Sequence, residues 1–119
     1  DRCYAYRSGP LAYAAASAAC AAAGGALAAL DSAELNAWAH GVLMDGVDEH
    51  PGAFLGATDA AEEGAWAWED GRPWGYTNWY QIEPNNAGDG EDCLKVHAGG
   101  TWNDDACDRA ADHVCQRPV

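Results

Sequence analysis

The 119 residues read as an α+β domain: two helices packed on short antiparallel sheets, with a long loop in the second half and disulfide staples. Three observations carry that reading. An Ala-rich stretch and an amphipathic stretch occupy the first part of the chain. Short runs with alternating apolar residues dominate from Phe54 onward. Five cysteines are spread through a chain long enough for one core but not for two.

Leu11 to Ala23 is nearly all Ala, the best helix former. Pro10 suits a helix start and Gly24-Gly25 a stop. Tyr13 and Cys20 stand two turns apart and so share a face. A short apolar run, Ala26 to Leu30, follows. Asp31-Ser32 caps a second helix in which Leu35, Trp38, Ala39 and Val42 make one buried stripe, leaving His40 on the surface. Asp45 to Pro51 is polar and turn-like. Phe54-Leu55-Gly56 predicts a short strand, and Trp66 and Trp68, alternating with Ala ahead of Asp70-Gly71, predict a hairpin. Arg72 to Asp92 is rich in Gly, Pro and Asn, which predicts a long loop, and long loops are usually functional. Leu94 and Val96 mark a strand, Gly99-Gly100 a turn, Trp102 the return, and His113 to Gln116 closes the sheet. No repeat or linker interrupts the chain, so residues 1–119 are expected to form one domain.

With 19 acids against 6 Lys and Arg, the formal charge is -13. Nucleic acid and anionic membrane both need basic patches, so neither is an expected partner. The Ala-rich stretch is too short to span a bilayer. Like charges crowd the second half and would oppose folding unless a cation bound there. The cysteines point to an oxidising compartment. No Cys-x-x-Cys or Cys/His pair stands at zinc-finger spacing. Five is odd, and Cys3, at the extreme N-terminus, is the expected unpaired thiol; the other four allow three pairings. The start Asp1-Arg2-Cys3-Tyr4 has no signal-peptide pattern, so the chain reads as a mature or excised extracellular domain.

Glu83-Pro84-Asn85, Gly90-Glu91-Asp92-Cys93 and Trp102-Asn103-Asp104 gather oxygen donors late in the chain. A hard cation such as calcium takes about six to eight oxygens at roughly 2.3–2.6 Å. Three acids (Glu83, Glu91, Asp104) and two amides (Asn85, Asn103) supply most of that shell and leave positions for an outside ligand. Carboxylates about 4 Å apart repel by about 4 kcal/mol at an effective dielectric of 20. The loop is therefore expected to be loose without calcium and ordered with it. No Ser/His/Asp or Cys/His arrangement stands out, so catalysis is not expected. His97 and His113 fall in strand patterns and read as structural or exposed. The spacing of an EF-hand loop is absent.

In this order the residues resemble the C-type lectin carbohydrate-recognition domain, from Cys3-Tyr4 to Cys115. The resemblance takes in Cys20, Phe54-Leu55-Gly56 where the family has Trp-Ile-Gly-Leu, the Trp66/Trp68/Asp70-Gly71 hairpin, and Asn78-Trp79. The Glu-Pro-Asn, Glu-Asp-Cys and Trp-Asn-Asp triplets are its most specific part, and the mannose-binding proteins are the nearest comparison. Phe54 in place of Trp and the Ala-rich first helix depart from the pattern without touching the candidate ligands. The resemblance implies disulfides Cys20–Cys115 and Cys93–Cys107. It leaves Cys3 where longer members pair with an earlier cysteine. It implies a principal calcium held by Glu83, Asn85, Glu91, Asn103 and Asp104, which also hold the sugar, and a cis peptide at Pro84. An auxiliary calcium is implied at Asp59, Glu63, Asn86, Glu91 and Asp92.

By that resemblance, two neighbouring sugar hydroxyls replace water on the ion, accept from Asn N–H groups and donate to carboxylates. Glu-Pro-Asn goes in related lectins with equatorial 3- and 4-hydroxyls (mannose, glucose, N-acetylglucosamine, fucose), and Gln-Pro-Asp with galactose. Glu83 and Asn85 thus imply the mannose class, including microbial heptose or rhamnose with an equivalent diol. The implied partners are mono- or oligosaccharides on glycoconjugates, with avidity from an oligomer or a larger multidomain parent. Tyr80, Ile82, His97 and Trp102 are expected to shape secondary contacts. Two other readings remain: a lectin-like domain that binds a protein or ice surface, and galactose specificity despite the motif.

Overall fold

A ten-residue strand, β1 (Arg2–Leu11), precedes the first helix, where the sequence pattern predicts helices before any strand. Half-buried Arg2, Tyr4 and Tyr6 alternate with exposed Cys3, Ala5 and Arg7, but the small residues blur that period. Pro10 lies in this strand and does not start the helix. The structure, a computed structural model, describes residues 2–45, 52–80, 90–97 and 99–119. Helix α1 spans Tyr13–Ala22, and the Tyr13 amide is satisfied outside the helix by the Cys107 carbonyl at 2.9 Å. Its buried face carries Ala16 and Cys20. Strand β2 (Ala26–Leu27) leads into the buried run to Leu30.

Helix α2 (Ala33–Trp38) is capped as expected, the Ser32 hydroxyl accepting from the Leu35 amide at 3.1 Å. The expected stripe holds at Leu35 and Ala39 and fails at Trp38 and Val42. Trp38 is 42% and Val42 58% exposed, while Asn36, Ala39 and Met44 are buried. The reason is a wider turn over Ala39–Leu43, where the Met44 amide bonds the Ala39 carbonyl in an i to i+5 pattern. That extra residue per turn rotates Val42 outward and brings Met44 inward.

The remaining strands are β3 (Ala53–Thr58), β4 (Ala67–Trp68), β5 (Cys93–Val96), β6 (Trp102–Asp105) and β7 (Ala111–Pro118). They form one sheet, ordered β1-β7-β3-β5-β6, with β2 on β7 and β4 on β3. Two helices on antiparallel strands are as expected, with one parallel pairing added: β3 runs parallel to β7, with Ala53 beside Asp112 and Phe54 beside His113. The core on one face joins Leu30, Leu55, Leu94, Val96 and Val114 to a group of indoles. Trp102 is fully buried at its centre, edge-on to Trp68 (5.7 Å) and Trp79 (5.9 Å). Aromatic pairs of this kind contribute about 0.5–1.5 kcal/mol beyond area burial.

Two carboxamides fix the tip of the β5–β6 hairpin. Asn36 and Asn78 both donate to the Gly100 carbonyl, at 2.8 and 2.7 Å, and the Trp102 indole donates to Asn36 at 2.8 Å. Gly100 sits at φ +88°, and a Cβ there would strike the His40 ring at 2.6 Å. His40, expected on the surface, is thus half-buried against this turn. Two disulfides are formed, Cys20–Cys115 and Cys93–Cys107, and Cys3 is free and exposed. Among the described residues no helix is long and apolar enough to cross a membrane.

Candidate metal-binding site

Strand pairing brings together acids that are far apart in the chain. Thr58 at the end of β3 pairs with Cys93 at the start of β5. The next residue, Asp59, donates its amide to the Asp92 carbonyl at 3.1 Å. One Asp59 oxygen accepts from the Gly64 amide at 2.9 Å, closing a turn that carries Glu63 back over it. One carboxylate oxygen each from Asp59, Glu63 and Asp92 then lie within 4.8 Å of one another. Asp59 is buried, Asp92 half-buried and Glu63 exposed.

Three carboxylates this close cannot all ionise freely. Hydrogen bonding with Asp59, then burial, then the charges of Asp59 and Asp92 push Glu63 up to about 7. Asp92 is raised too, first by its hydrogen bond with Asp59, then by burial and the Asp59 charge, with Asp104 adding to it. The cluster holds a proton where a cation would relieve the same repulsion.

The second group lies alongside. Glu91 leads into β5; Asn103 and Asp104 stand on β6, facing Lys95 and Leu94 across the ladder. Asp104 is buried and Glu91 half-buried, and both are engaged in interactions. The segment before the loop is tied to the same strand: the Trp102 amide donates to Asn78 (2.8 Å) and the Tyr80 amide to Trp102 (2.9 Å). Glu83, Pro84, Asn85 and Asn86, and with them the expected cis peptide and Ile82, lie outside the described residues.

The donor chemistry fits a hard cation. Asp59 Oδ1, Asp92 Oδ1 and Asn103 Oδ1 are buried without a hydrogen-bond partner. Such orphans are rare in folded proteins and each needs an explanation. All three are oxygens, the donor type calcium prefers and zinc does not. A calcium held by Asp59, Glu63, Glu91 and Asp92, and another by Glu91, Asn103 and Asp104, would satisfy them and offset most of the carboxylate charge.

Among the expected secondary contacts, Trp102 is corrected: it is 0% exposed, because its ring fills the centre of the indole group. Tyr80 is half exposed at 50%. His97 is half-buried, and its ring lies where a Cβ on Gly52 would come within 3.2 Å. Two supports escaped the sequence reading. One is the Asn36/Asn78 clamp. The other is Lys95, fully buried between Leu94 and Val96 and paired to Asp105 at 2.7 Å. A lysine inside an apolar strand, facing consecutive acids on the return strand, was the available signal for the second.

Residues 9–117 match the family described as "Lectin C-type domain". The low affinity immunoglobulin epsilon Fc receptor of mouse is 34% identical over 118 residues, which is 98% of this chain and 34% of the receptor. The chain thus spans about a third of that relative's length. Among solved structures, the mouse scavenger receptor C-type lectin carbohydrate-recognition domain superposes with a TM-score of 0.90 at 30% identity, covering 98% of this chain and 90% of that one. The cow C-type carbohydrate-recognition domain of CD23, solved in the presence of a GlcNAc2Man3 oligosaccharide, gives 0.87 at 32% identity, covering 99% and 88%. A herring type II antifreeze protein gives 0.87 at 25% identity, covering 99% and 91%. Sheet order, paired cysteines and matched residues agree, and this chain belongs to the C-type lectin domain family.

Proposed function

We propose that residues 1–119 form one extracellular domain that binds carbohydrate through calcium, with mannose-class specificity. The observation that carries this reading is the set of buried, unpartnered oxygens on Asp59, Asp92 and Asn103. A principal calcium is assigned to Glu83, Asn85, Glu91, Asn103 and Asp104, and an auxiliary one to Asp59, Glu63, Asn86, Glu91 and Asp92. Calcium supplies open coordination positions for two vicinal hydroxyls; the Glu and Asn side chains orient them through hydrogen bonds. The Glu83–Asn85 pair favours equatorial 3,4-diols, and the relative solved with a mannose-containing oligosaccharide supports that class. The domain binds and does not catalyse.

A monosaccharide on an open site makes few contacts, so affinity of about 1 mM, near -4 kcal/mol, is expected. Useful avidity then requires several copies or a multidomain parent carrying them. Binding fades as pH falls, because protonation of the ligand carboxylates competes with calcium. The test is a glycan array with calcium and with chelator. Chelator-sensitive capture of mannose, fucose or N-acetylglucosamine glycans is expected. Galactose-only capture overturns the sugar class. Chelator-insensitive binding to a protein or to ice overturns the function.

A further inference from the structure

The six cationic side chains are unevenly placed. Lys95 and Arg109 are both committed to Asp105. The other four, Arg2, Arg7, Arg72 and Arg117, line two adjoining cavities of about 300 and 370 Å³ that share Gly25, Gln116 and Arg117. In a chain with 19 acids, that concentration makes one region electropositive against an acidic remainder. Arg2 and Arg72 both donate to Asp31 at 3.1 Å, and Arg72 also donates to Asp70 at 2.6 Å. Buried Gln116 closes this ring, accepting from Arg2 at 3.0 Å and donating to Asp70 at 2.9 Å. The charges of the ring cancel. Arg7 and Arg117 differ: both are exposed, and neither has an ion pair or hydrogen bond among the described residues. The β1–β7 register sets Arg7 opposite His113 and Arg117 opposite Cys3. Both guanidiniums therefore leave the sheet on one face, four residues apart along the strands and one strand across, about 14 Å at the backbone. The smaller cavity includes both of them, with Cys3, Ala5, Ala23 and Gly25, and no carboxylate lines it. Asp112 alternates to the opposite face, where it accepts from the Tyr6 hydroxyl.

We propose that this groove binds a linear anionic saccharide, one bearing sulfate or uronate groups, with Arg7 and Arg117 as its anchors and no calcium in the contact. A guanidinium presents a planar fork of donors that suits a carboxylate or a tetrahedral oxyanion. Two such forks, separated by a trough of small uncharged residues, fit a hydroxylated chain whose charges are spaced along it. Nucleic acid, charged at every residue, would also meet the acidic remainder of a chain at -13. An acidic peptide would need pockets for its alternate side chains, and the small lining residues offer none. At physiological salt the Debye length is about 8 Å, so a ligand in the groove feels the guanidiniums beside it and little of the distant acids. No residue of the groove belongs to either calcium set, so a neutral diol and an anionic chain are read by different residues. The choice of a saccharide rests on the carbohydrate reading above, whereas the charge pattern of the groove does not.

The test uses the full chain with Cys3→Ser, which prevents cross-linking through the free thiol, and keeps both disulfides intact. The probe is a sulfated, uronate-bearing oligosaccharide cut from heparin, titrated by calorimetry in calcium and in chelator at about 0.15 M salt. The expected result is one site whose affinity is the same in both. Arg7→Gln and Arg117→Gln each weaken it about five-fold, as for exposed charge pairs, and together by about 25-fold. Arg109→Gln removes the same charge outside the groove and leaves the affinity unchanged. A desulfated, carboxyl-reduced form of the oligosaccharide does not bind. Both groove positions are exposed, so the near-ultraviolet dichroism of the indole group persists in every variant. Unchanged affinity in the double variant overturns the proposal, as does an equal loss in Arg109→Gln or equal binding of the neutral oligosaccharide. Loss of binding in chelator assigns the probe to the calcium site, and equal affinity for a polyglutamate peptide assigns the groove to an acidic protein; either overturns it too. Mannose capture enters none of these readouts, so failure of the calcium reading and failure of this one are distinguishable.

Discussion

His113 and Glu63 show how position sets the charge of a side chain. Burial and Arg7 lower the imidazole below its ordinary 6.5, so folding excludes a proton that the unfolded chain accepts. Its contribution to stability is present above pH 6.5 and is lost as pH falls through the lowered value. His113→Phe should therefore flatten the fall in melting temperature between pH 7 and 5, as thermal melts across that range would reveal. Glu63 has the opposite sign. Its folded value, raised from 4.5 to about 7, gives stability below pH 4.5 that disappears as pH rises through about 7 without calcium. The coupled Asp59, Glu63 and Asp92 carboxylates share protons near neutral pH, and calcium uptake should release them. Calorimetry in buffers of differing ionisation heat would measure the release, and Glu63→Gln should abolish it.

The β5–β6 hairpin is the element that presents Asn103 and Asp104, and an ion pair holds it from below. Lys95 Nζ meets Asp105 at 2.7 Å and lies 5.0 Å from the centre of the Phe54 ring. Asp105 also accepts from Arg109 and from the Ala106 amide, each at 2.7 Å. Burial raises the Asp105 carboxyl, but the Lys95 bond, the Ala106 amide and both cations outweigh it and leave it lowered. Lys95→Met should destabilise the domain by about 3 kcal/mol, because it strips a buried acid of its main partner. Adding Asp105→Leu should recover most of that loss in urea titrations; no recovery would mean Lys95 acts through packing alone. Helix α2 makes a related point. Its cap was legible in Ser32, whereas its buried face was not, since a single wide turn shifts the phase and no local pattern announces it.

Across the chain, the two disulfides divide the work. Cys20–Cys115 closes a separation of 95 residues and Cys93–Cys107 one of 14. Loop entropy alone assigns them about 4.7 and about 3 kcal/mol. Replacing the first pair with Ser should cost more stability in urea. Replacing the second should cost more calcium affinity, because Cys93 adjoins Asp92 and pairs with Asp105. Equal effects on both readouts would contradict this division. Under the proposed function, calcium should raise the melting temperature in a concentration-dependent way, as any ligand selective for the folded acids does, and the excess of 19 acids over 6 cations makes that gain largest at low salt.

Some of this was written in the chain itself: the oxygen-donor triplets, the spacing of the cysteines, the capped and Ala-rich helices, and the family. These are local patterns, and local chemistry is readable over a few residues. The convergence of Asp59, Glu63 and Asp92, the burial of Trp102, the parallel pairing of β3 with β7, and the placement of His113 against Cys20 were decided by the tertiary structure. Each depends on segments distant in sequence meeting in the core. A side chain's surroundings there are set by what packs against it, and its neighbours along the chain carry no record of that.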